Sequence, residues 1–381
     1  MTGHVRRRGA RSWELKFDVG VDATGHRKTR YASFRGTKRE AEIELARLVA
    51  AAAAGTLAEP SKMTVGAYLK AWLDGPHGLA GKTAERYQQL IEAQIIPHLG
   101  AVAIQKLKPA HIADWHGKLI AGGGKDGRPL SSRTVGHAHR VLHRALARAA
   151  ETELVSRNVA NIIKPPKVEE AEVESLKADG IDAVLKALND HPLEPIGVLA
   201  LSSGARRGEI LALAWKNVDL SAATIKIERS LEQTKAGLRF KAPKTKHGRR
   251  TVSLPPVALD ALRAHRRRQL EVRVALGQGK FEPDALVFCT IDGGPLAPNN
   301  LSRDWARFVK ARKLPSISFH GLRHSHVSAL IAGGVDVLTV SRRIGHASAV
   351  VTMKVYAHLF SGTDKTAANA IEAALRTGKE R

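Results

Sequence analysis

Residues 319–359 read FHGLRHSHVSALIAGGVDVLTVSRRIGHASAVVTMKVYAHL and bring His320, Arg323, His346 and Tyr356 into one short region. Each of these residue types has a part in phosphoryl chemistry. A guanidinium meets a phosphate with two parallel donors and keeps its charge at any working pH. Imidazoles move protons near neutrality, and a phenol attacks phosphorus once its proton has a place to go.

The rest of the chain indicates which phosphate. Its 381 residues include 61 Lys and Arg against 36 Asp and Glu, a net charge of +25. Such a field draws polyanions and speeds encounter with them, nucleic acid above all. With 43% hydrophobic residues there is enough apolar material for two or three cored domains, which sets the chain apart from a basic tail. No apolar run approaches the roughly 18 residues of a membrane span. The basic opening MTGHVRRRGARSW has no apolar stretch behind it and does not read as a secretory signal. A single cysteine, Cys289 in an apolar Val-Phe-Cys stretch that reads as core, leaves no internal disulfide and no cysteine-rich zinc site. No HExxH spacing occurs among the 17 histidines. The expectation is a cytoplasmic protein acting on DNA, away from membrane, with no cofactor and no metal.

Pattern divides the chain into three segments. In the first, Trp13, Leu15, Phe17 and Val19 alternate with Glu14, Lys16 and Asp18, which predicts a strand; residues 22–25 read as a turn and Arg27 to Phe34 as a second, basic strand. Thr37 and Glu40 form a T-x-x-E capping box that opens a helix ending at Gly55. Arg27, Lys28 and Arg30 are candidates for phosphate contact, because a small basic ribbon fits a DNA groove.

The second segment, from about Ser61 to Ile163, reads as wholly helical, with Val65, Leu69, Trp72, then Leu90, Ile91, Ile95, then Val135, Leu142 and Leu146 at three- and four-residue intervals. Pro97 and Gly100 punctuate it. Lys82, Arg86, Arg133, His137, Arg140, Arg144 and Arg148 fall on outer faces, where a solvated face and a phosphate-tracking face look alike in sequence. Residues 164–174, KPPKVEEAEVE, read as a linker.

The third segment holds the chemistry. Leu199 to Trp215, LALSSGARRGEILALAW, reads as a helix, a Ser-Gly turn and a second helix with Arg206, Arg207 and Glu209 in its first turn. Thr224 to Glu228 and then Phe240 to Leu254, FKAPKTKHGRRTVSL, read as alternating strands that suggest a hairpin or small sheet with Lys244 and Lys246 near its tip. Singly each feature is ordinary: an Arg-Gly-Glu turn is usually a surface salt bridge, and a lysine-rich hairpin a solvated loop.

Their order is not ordinary. R-x-x-E in GARRGE, PKTK, H-x-x-R in HGLRH, then IGH and a tyrosine in IGHASAVVTMKVYAH resemble the tyrosine recombinase, or phage integrase, family. The likeness is specific in the third segment. It is looser in the second, carried by IIPHLG and NVANIIKPP, and weak in the first, which resembles the arm-binding modules of phage and conjugative-element integrases. The resemblance implies a multidomain, mainly α protein with small β-sheets: an arm-type DNA-binding-like domain over 1–57, a helical SAM-like core-binding domain over 61–165 and an α+β catalytic domain over 172–381.

By the same resemblance Arg206 and Arg323 clamp the scissile phosphate and Tyr356 attacks it to give a 3′-phosphotyrosine and a free 5′-hydroxyl. Lys244, favoured over Lys246 by its P-K-T setting, protonates the leaving oxygen. His320 assists proton transfer and holds the phosphate, His346 hydrogen-bonds a phosphate oxygen near Tyr356, and Glu209 orients Arg206, which the family pattern favours over its neighbour Arg207 as the clamp. His324, His326 and His358 are read as structural or phosphate-facing extras. The implied activity is site-specific integration or excision of a phage or mobile element at double-stranded DNA attachment sites by a homotetramer, with a host bending protein and an excision factor as candidate accessory partners. A type IB topoisomerase and a catalytically inactive, integrase-derived DNA-binding protein are the alternatives. Beyond the tyrosine, Ser361 and Gly362 read as a hinge into a helix over 363–376 whose apolar stripe, Ala367, Ala368, Ile371, Ala374 and Leu375, is expected to dock on a neighbouring protomer.

Overall fold

The computed structural model describes residues 3–21, 25–54, 61–169, 174–243, 248–282, 284–360, 368, 369, 371, 372 and 375. The chain packs as two compact units, Met1–Glu169 and Glu170–Arg381. Among the described residues no helix is long and apolar enough to cross a membrane.

The first unit opens with strands β1 (Gly3–Gly9), β2 (Ser12–Val21) and β3 (Arg27–Arg35) in an antiparallel sheet with β2 central. The sequence predicts β2 and β3 but not β1, whose GHVRRRG has one apolar residue and no alternation. β1 forms because β2 offers it an edge: Val5 pairs with Leu15 and joins the core, while all three arginines remain exposed, Arg6 on the outer face and Arg7 beside Trp13. Helix α1 (Lys38–Ala53) covers the opposite side, burying Leu15, Phe17, Ala41, Leu48 and Ala52. Its predicted capping box is present: Glu40 N donates to Thr37 Oγ1 (3.3 Å) and Thr37 N to Glu40 Oε2 (2.7 Å). The 22–24 turn and the expected helix end at Gly55 lie outside the described residues. Of the expected cationic residues Arg27 and Lys28 are exposed and Arg30 is half-buried, paired with Phe17 on the side that carries the core, whereas Arg6 with Glu14 and His4 with Lys16 line the outer side.

The rest of this unit is helical, as its periodicity predicts: α2 (Val65–Asp74), α3 (Gly81–Leu90), α4 (Ile96–Leu99), α5 (Pro109–Gly122) and α6 (Ser132–Glu151) around a core that includes Leu69, Ile91, Ile95, Trp115, Leu142 and Leu146. A π turn over Ile91–Ile95 joins α3 to α4. Pro97 explains it: proline has no N–H to give residue 93 and its ring would strike that carbonyl, so the turn widens and Ile96 N reaches Ile91 O. Trp115 Nε1 takes the carbonyl of Gln94 in the same turn (2.7 Å). Arg133, His137, Arg140, Arg144 and Arg148 are all exposed along α6. Partial burial and then the charges of Arg140, Arg86 and Arg133 lower the pKa of His137, so α3 and α6 share one cationic patch.

The second unit is built round α8 (Glu194–Ser203), which is apolar on every face. It follows α7 (Ala178–Leu188) and leads through Gly204 into the short α9 (Arg207–Leu211). Strands β4 (Val218–Asp219), β5 (Thr224–Ile227) and β8 (Arg250–Ser253) form one antiparallel sheet, and β6 (Ser230–Thr234) and β7 (Gly237–Lys241) a separate hairpin. The small sheet expected from Thr224–Glu228 and the Phe240–Leu254 segment is therefore present as β5 against β8, but the described arms of that segment do not pair with each other. They belong to different sheets, because Val252 buries against Ile225 of β5 while β7 already has its partner in β6. Helices α10 (Pro256–Ala275), α11 (Pro298–Ala311), α12 (Gly321–Ala332), α13 (Val337–Ile344) and α14 (Ala349–Tyr356) complete the unit, with α10 and α12 against α8. Cys289 is half-buried rather than core, its Sγ accepting from Gln269 Nε2 (2.8 Å).

One buried pair in the first unit has a pH consequence. His116 Nε2 and His139 Nδ1 hydrogen-bond at 3.2 Å across α5 and α6, both side chains nearly sealed from water. Burial, then the neighbouring His116 and His143, pull His139 down to about 4, and burial lowers His116 too. A depressed histidine binds protons in the unfolded chain before the folded one, so stability should fall as pH drops from about 6.5 towards 4. This pair's share of the loss seen in urea unfolding should be on the order of 2 kcal/mol over that window, and His139→Leu should flatten the acid dependence of the full chain by about that share, leaving the rest.

Candidate active site

Helix α13 ends in Arg343, Ile344 and Gly345, and Gly345 adopts φ 68°, ψ 46°. That left-handed turn lets Gly345 N donate to Arg342 O (3.1 Å) and His346 N to Ser341 O (3.0 Å), the reciprocal pattern of a glycine-terminated helix. The next three carbonyls remain for other donors. Arg250 Nε takes Arg343 O at 2.7 Å, Arg323 Nη2 takes Ile344 O at 2.8 Å, and Arg206 Nη2 takes Gly345 O at 3.3 Å. Three guanidiniums from three elements thus converge on one helix end, where the peptide dipoles present partial negative charge.

Arg323, only 4% exposed, is the most buried of the three; its Nη1 also donates to Gly204 O (2.6 Å) at the end of α8. Gly204 is itself left-handed (φ 61°), and a Cβ there would meet His326 Cδ2 at 2.5 Å, so glycine alone fits this corner. Burial, then the charge of Arg206, pulls Arg323 down to about 9, which leaves it charged at neutral pH. The counter-charge is Glu209. It accepts from Arg206 Nη1 and backbone N (both 2.9 Å) and from Arg250 Nη2 (2.8 Å). Burial acts to raise this carboxyl, but the Arg250 hydrogen bond and charge, with those of Arg206, outweigh it and hold it below the usual range.

Around this cluster lie the histidines and the tyrosine. Tyr356 closes α14 with its ring packed on Val327, Ile331, Val340 and Ile344 and only 2% exposed. Its hydroxyl is 2.5 Å from His324 Nδ1. His324 is one turn along α12 from His320, their rings in a T-shaped contact at 4.9 Å. His346, beyond α13, pairs Nδ1 with Thr352 Oγ1 at 2.9 Å. All three imidazoles are lowered first by burial; Arg323 and Arg206 then act on His320, His320 and Arg323 on His324, and Arg323, Arg206 and Arg250 on His346, with His324 and His346 reaching about 4. Burial pushes the Tyr356 phenol up to about 12, a rise the Arg323 charge opposes.

Of the residues singled out in the sequence, Arg206, Glu209, His320, Arg323, His346 and Tyr356 fall in this neighbourhood, linked through the α13 terminus and α12. Arg206 caps α9 rather than lying inside it, and Arg207 turns away to Ser302 Oγ. Lys244 and Lys246 lie outside the described residues, as does the side chain of His358. Two participants escaped the sequence reading. Arg250 pairs in register with Ile227 on the buried side of its sheet, so an arginine in phase with Val252 was the available signal. His324, expected to be a bystander, touches the phenol; its i, i+4 spacing from His320 was the clue. His326 is structural as expected, with Nδ1 donating to Leu201 O (2.6 Å) and Nε2 accepting from Arg343 Nε (3.0 Å).

Comparison with known proteins shows the family to which the chain belongs. Residues 174–362 match the phage integrase family, and residues 64–120 match the phage integrase N-terminal SAM-like domain. An integrase of Streptomyces ambofaciens is 30% identical over 97% of this chain and 95% of its own length. A XerC-like tyrosine recombinase of Caldanaerobacter subterraneus subsp. tengcongensis is 25% identical over 97% of each chain. Among solved structures, the Tn1549 transposon integrase in complex with a circular intermediate DNA shares the fold with a TM-score of 0.69 at 18% identity, covering 82% of this chain and 99% of that one. The lambda integrase tetramer bound to a Holliday junction has a TM-score of 0.55 at 17% identity, over 91% and 95%. The chain belongs to the phage integrase family, the tyrosine site-specific recombinases, enzymes that cleave and rejoin DNA.

Two measurements probe the site without DNA. Arg250→Ala leaves Glu209 buried with half its partners and should cost about 3–5 kcal/mol in thermal unfolding, whereas Arg263→Ala, at an exposed pair with Asp260, should cost under about 1 kcal/mol. Tetranitromethane should nitrate Tyr31, 62% exposed, well before Tyr356 at 2%.

Proposed function

We propose that this recombinase is a three-domain integrase in which Tyr356 attacks the scissile phosphate while Arg206 and Arg323 hold its nonbridging oxygens. The convergence of both guanidiniums on the end of α13, within the neighbourhood of the Tyr356 hydroxyl, carries the reading. Charge grows on the equatorial oxygens as the phenol attacks, and fixed guanidiniums stabilise that charge with little reorganisation. The products are a 3′-phosphotyrosine and a 5′-hydroxyl. Phosphodiester energy is kept in the new linkage, so rejoining calls for no nucleotide and no cofactor.

In this scheme Lys244 gives its proton to the leaving 5′ oxygen, with Lys246 the alternative. His320 and His346 donate hydrogen bonds to the phosphate, and Glu209 positions Arg206. The domains are 1–57 for arm-type sites, 61–165 for core-site binding and 172–381 for catalysis. The cationic patch of Arg86, Arg133 and Arg140 supports the second assignment, and the outward Arg6 and Lys16 the first. Recombination joins two duplexes at attachment sites of a phage or mobile element through a homotetramer. Ile371 and Leu375, helical and exposed, support a tail that docks on the neighbouring protomer; the rest of the expected stripe, apart from Ala368, lies outside the described residues.

On nicked core half-sites Tyr356→Phe should bind with nearly wild-type affinity and form no covalent adduct on a denaturing gel; adduct from that variant would sink the assignment. Arg206→Ala and Arg323→Lys should slow adduct formation by about 10²-fold or more with little loss of DNA affinity. Lys244→Ala should regain cleavage on a 5′-phosphorothiolate, whose sulfur leaves without a proton, and cleavage should persist in excess chelator.

A further inference from the structure

We propose that His324 is a further catalytic residue: its Nδ1 receives the proton of the Tyr356 hydroxyl as Oη attacks phosphorus. The inference rests on Tyr356 being the nucleophile and moves proton transfer at its hydroxyl from His320, where the resemblance put it, to His324. Among the described residues, the recorded hydrogen bond of Oη is to His324 Nδ1, at 2.5 Å. With 2% of the residue exposed, bulk water cannot take the proton in its place. Nor can the histidines assigned to the phosphate: His346 Nδ1 is engaged with Thr352 Oγ1, and His320 meets the ring of His324, not the phenol.

The charge state of His324 follows from its surroundings. His324 faces His320 and Arg323 on its own helix, Tyr356 on α14 and His346 beyond α13. Burial, then His320 and Arg323, keep the imidazole neutral. In the Nε2–H tautomer, the one this step uses, Nδ1 is the acceptor and the phenol O–H donates to it. A buried phenol is a poor nucleophile with its proton on, so bond formation and proton departure have to be coupled. During cleavage the Oη–P bond forms, the P–O5′ bond breaks, the phenol proton passes to Nδ1, and the general acid supplies a separate proton to the 5′ oxygen. The imidazolium then sits beside the phosphotyrosine, whose negative charge offsets it. Rejoining runs in reverse: the 5′-hydroxyl attacks, and Nδ1 returns its proton to the departing phenolate.

The test is single-turnover adduct formation on a nicked half-site across about pH 5 to 9, with the full chain and DNA affinity measured in parallel. His324→Ala should be slower by about 10²-fold or more at unchanged affinity, its rate climbing with pH where the wild type levels off. His324→Asn keeps an acceptor at the δ position but cannot hold a proton, and should stay slow. Site-specific fluorotyrosine at position 356, a more acidic phenol, should restore most of the rate in either variant while changing the wild type little; the Asn variant carries the comparison if Ala does not fold. The proposal is overturned by a His324→Ala rate and pH profile within about threefold of wild type, by full recovery in His324→Asn, which would reduce the residue to positioning, or by no rescue with fluorotyrosine. Adduct from Tyr356→Phe would instead remove the nucleophile itself, so the two failures are told apart.

Discussion

The end of α13 is the constraint on which the second unit's chemistry depends. A helix leaves its final carbonyls without partners, and Gly345 closes two of them internally while turning the next three outward. Arg250, Arg323 and Arg206 take one each. These contacts tie the β5–β8 sheet, α12 and the α8–α9 corner to a single point. They also answer an electrostatic difficulty. Like charges repel and a buried guanidinium loses its hydration, which costs several kcal/mol per ion. Helix ends at α13 and α8 and the Glu209 carboxylate offset that loss.

The balance is deliberately incomplete, and that is where function enters. Glu209 is one carboxylate among three arginines, so the pocket retains net positive charge that a phosphate would satisfy. Arg206, more open than Arg323, is the one whose guanidinium can turn part of its donors to a ligand while Glu209 holds the rest. Burial first, and then the same field, keep His324 and His346 uncharged. Neutral imidazoles donate and accept, which suits them to passing protons between a phenol, a phosphate and solvent.

Legibility in the sequence followed the physics of each element. Helices of the first unit were readable because burial recurs at three and four residues, as at Leu90, Ile91 and Ile95 and along α6. The Thr37 cap was readable because two side chains three apart satisfy each other. β1 was not, since an edge strand needs only hydrogen bonds and one apolar residue, and its arginines hide the alternation. The separation of β7 from β8 was likewise invisible, because strand pairing is a long-range choice settled by Ile225 and Val252 meeting across the chain. Arg206, Glu209, His320, Arg323, His346 and Tyr356 stood out through their order, but sequence order does not tell which partner each touches. Arg250 and His324 had to be found by contact: one lies 41 residues from its carboxylate, the other 32 from its phenol.

The central claim is a covalent one, and mass spectrometry of the trapped intermediate tests it most directly. Wild-type protein incubated with a nicked core half-site, then digested with nuclease and trypsin, should yield the peptide from Val355 to Lys365 carrying a residual nucleotide on Tyr356. A nucleotide attached to any other residue, or cleaved DNA with no protein attached, would contradict the account.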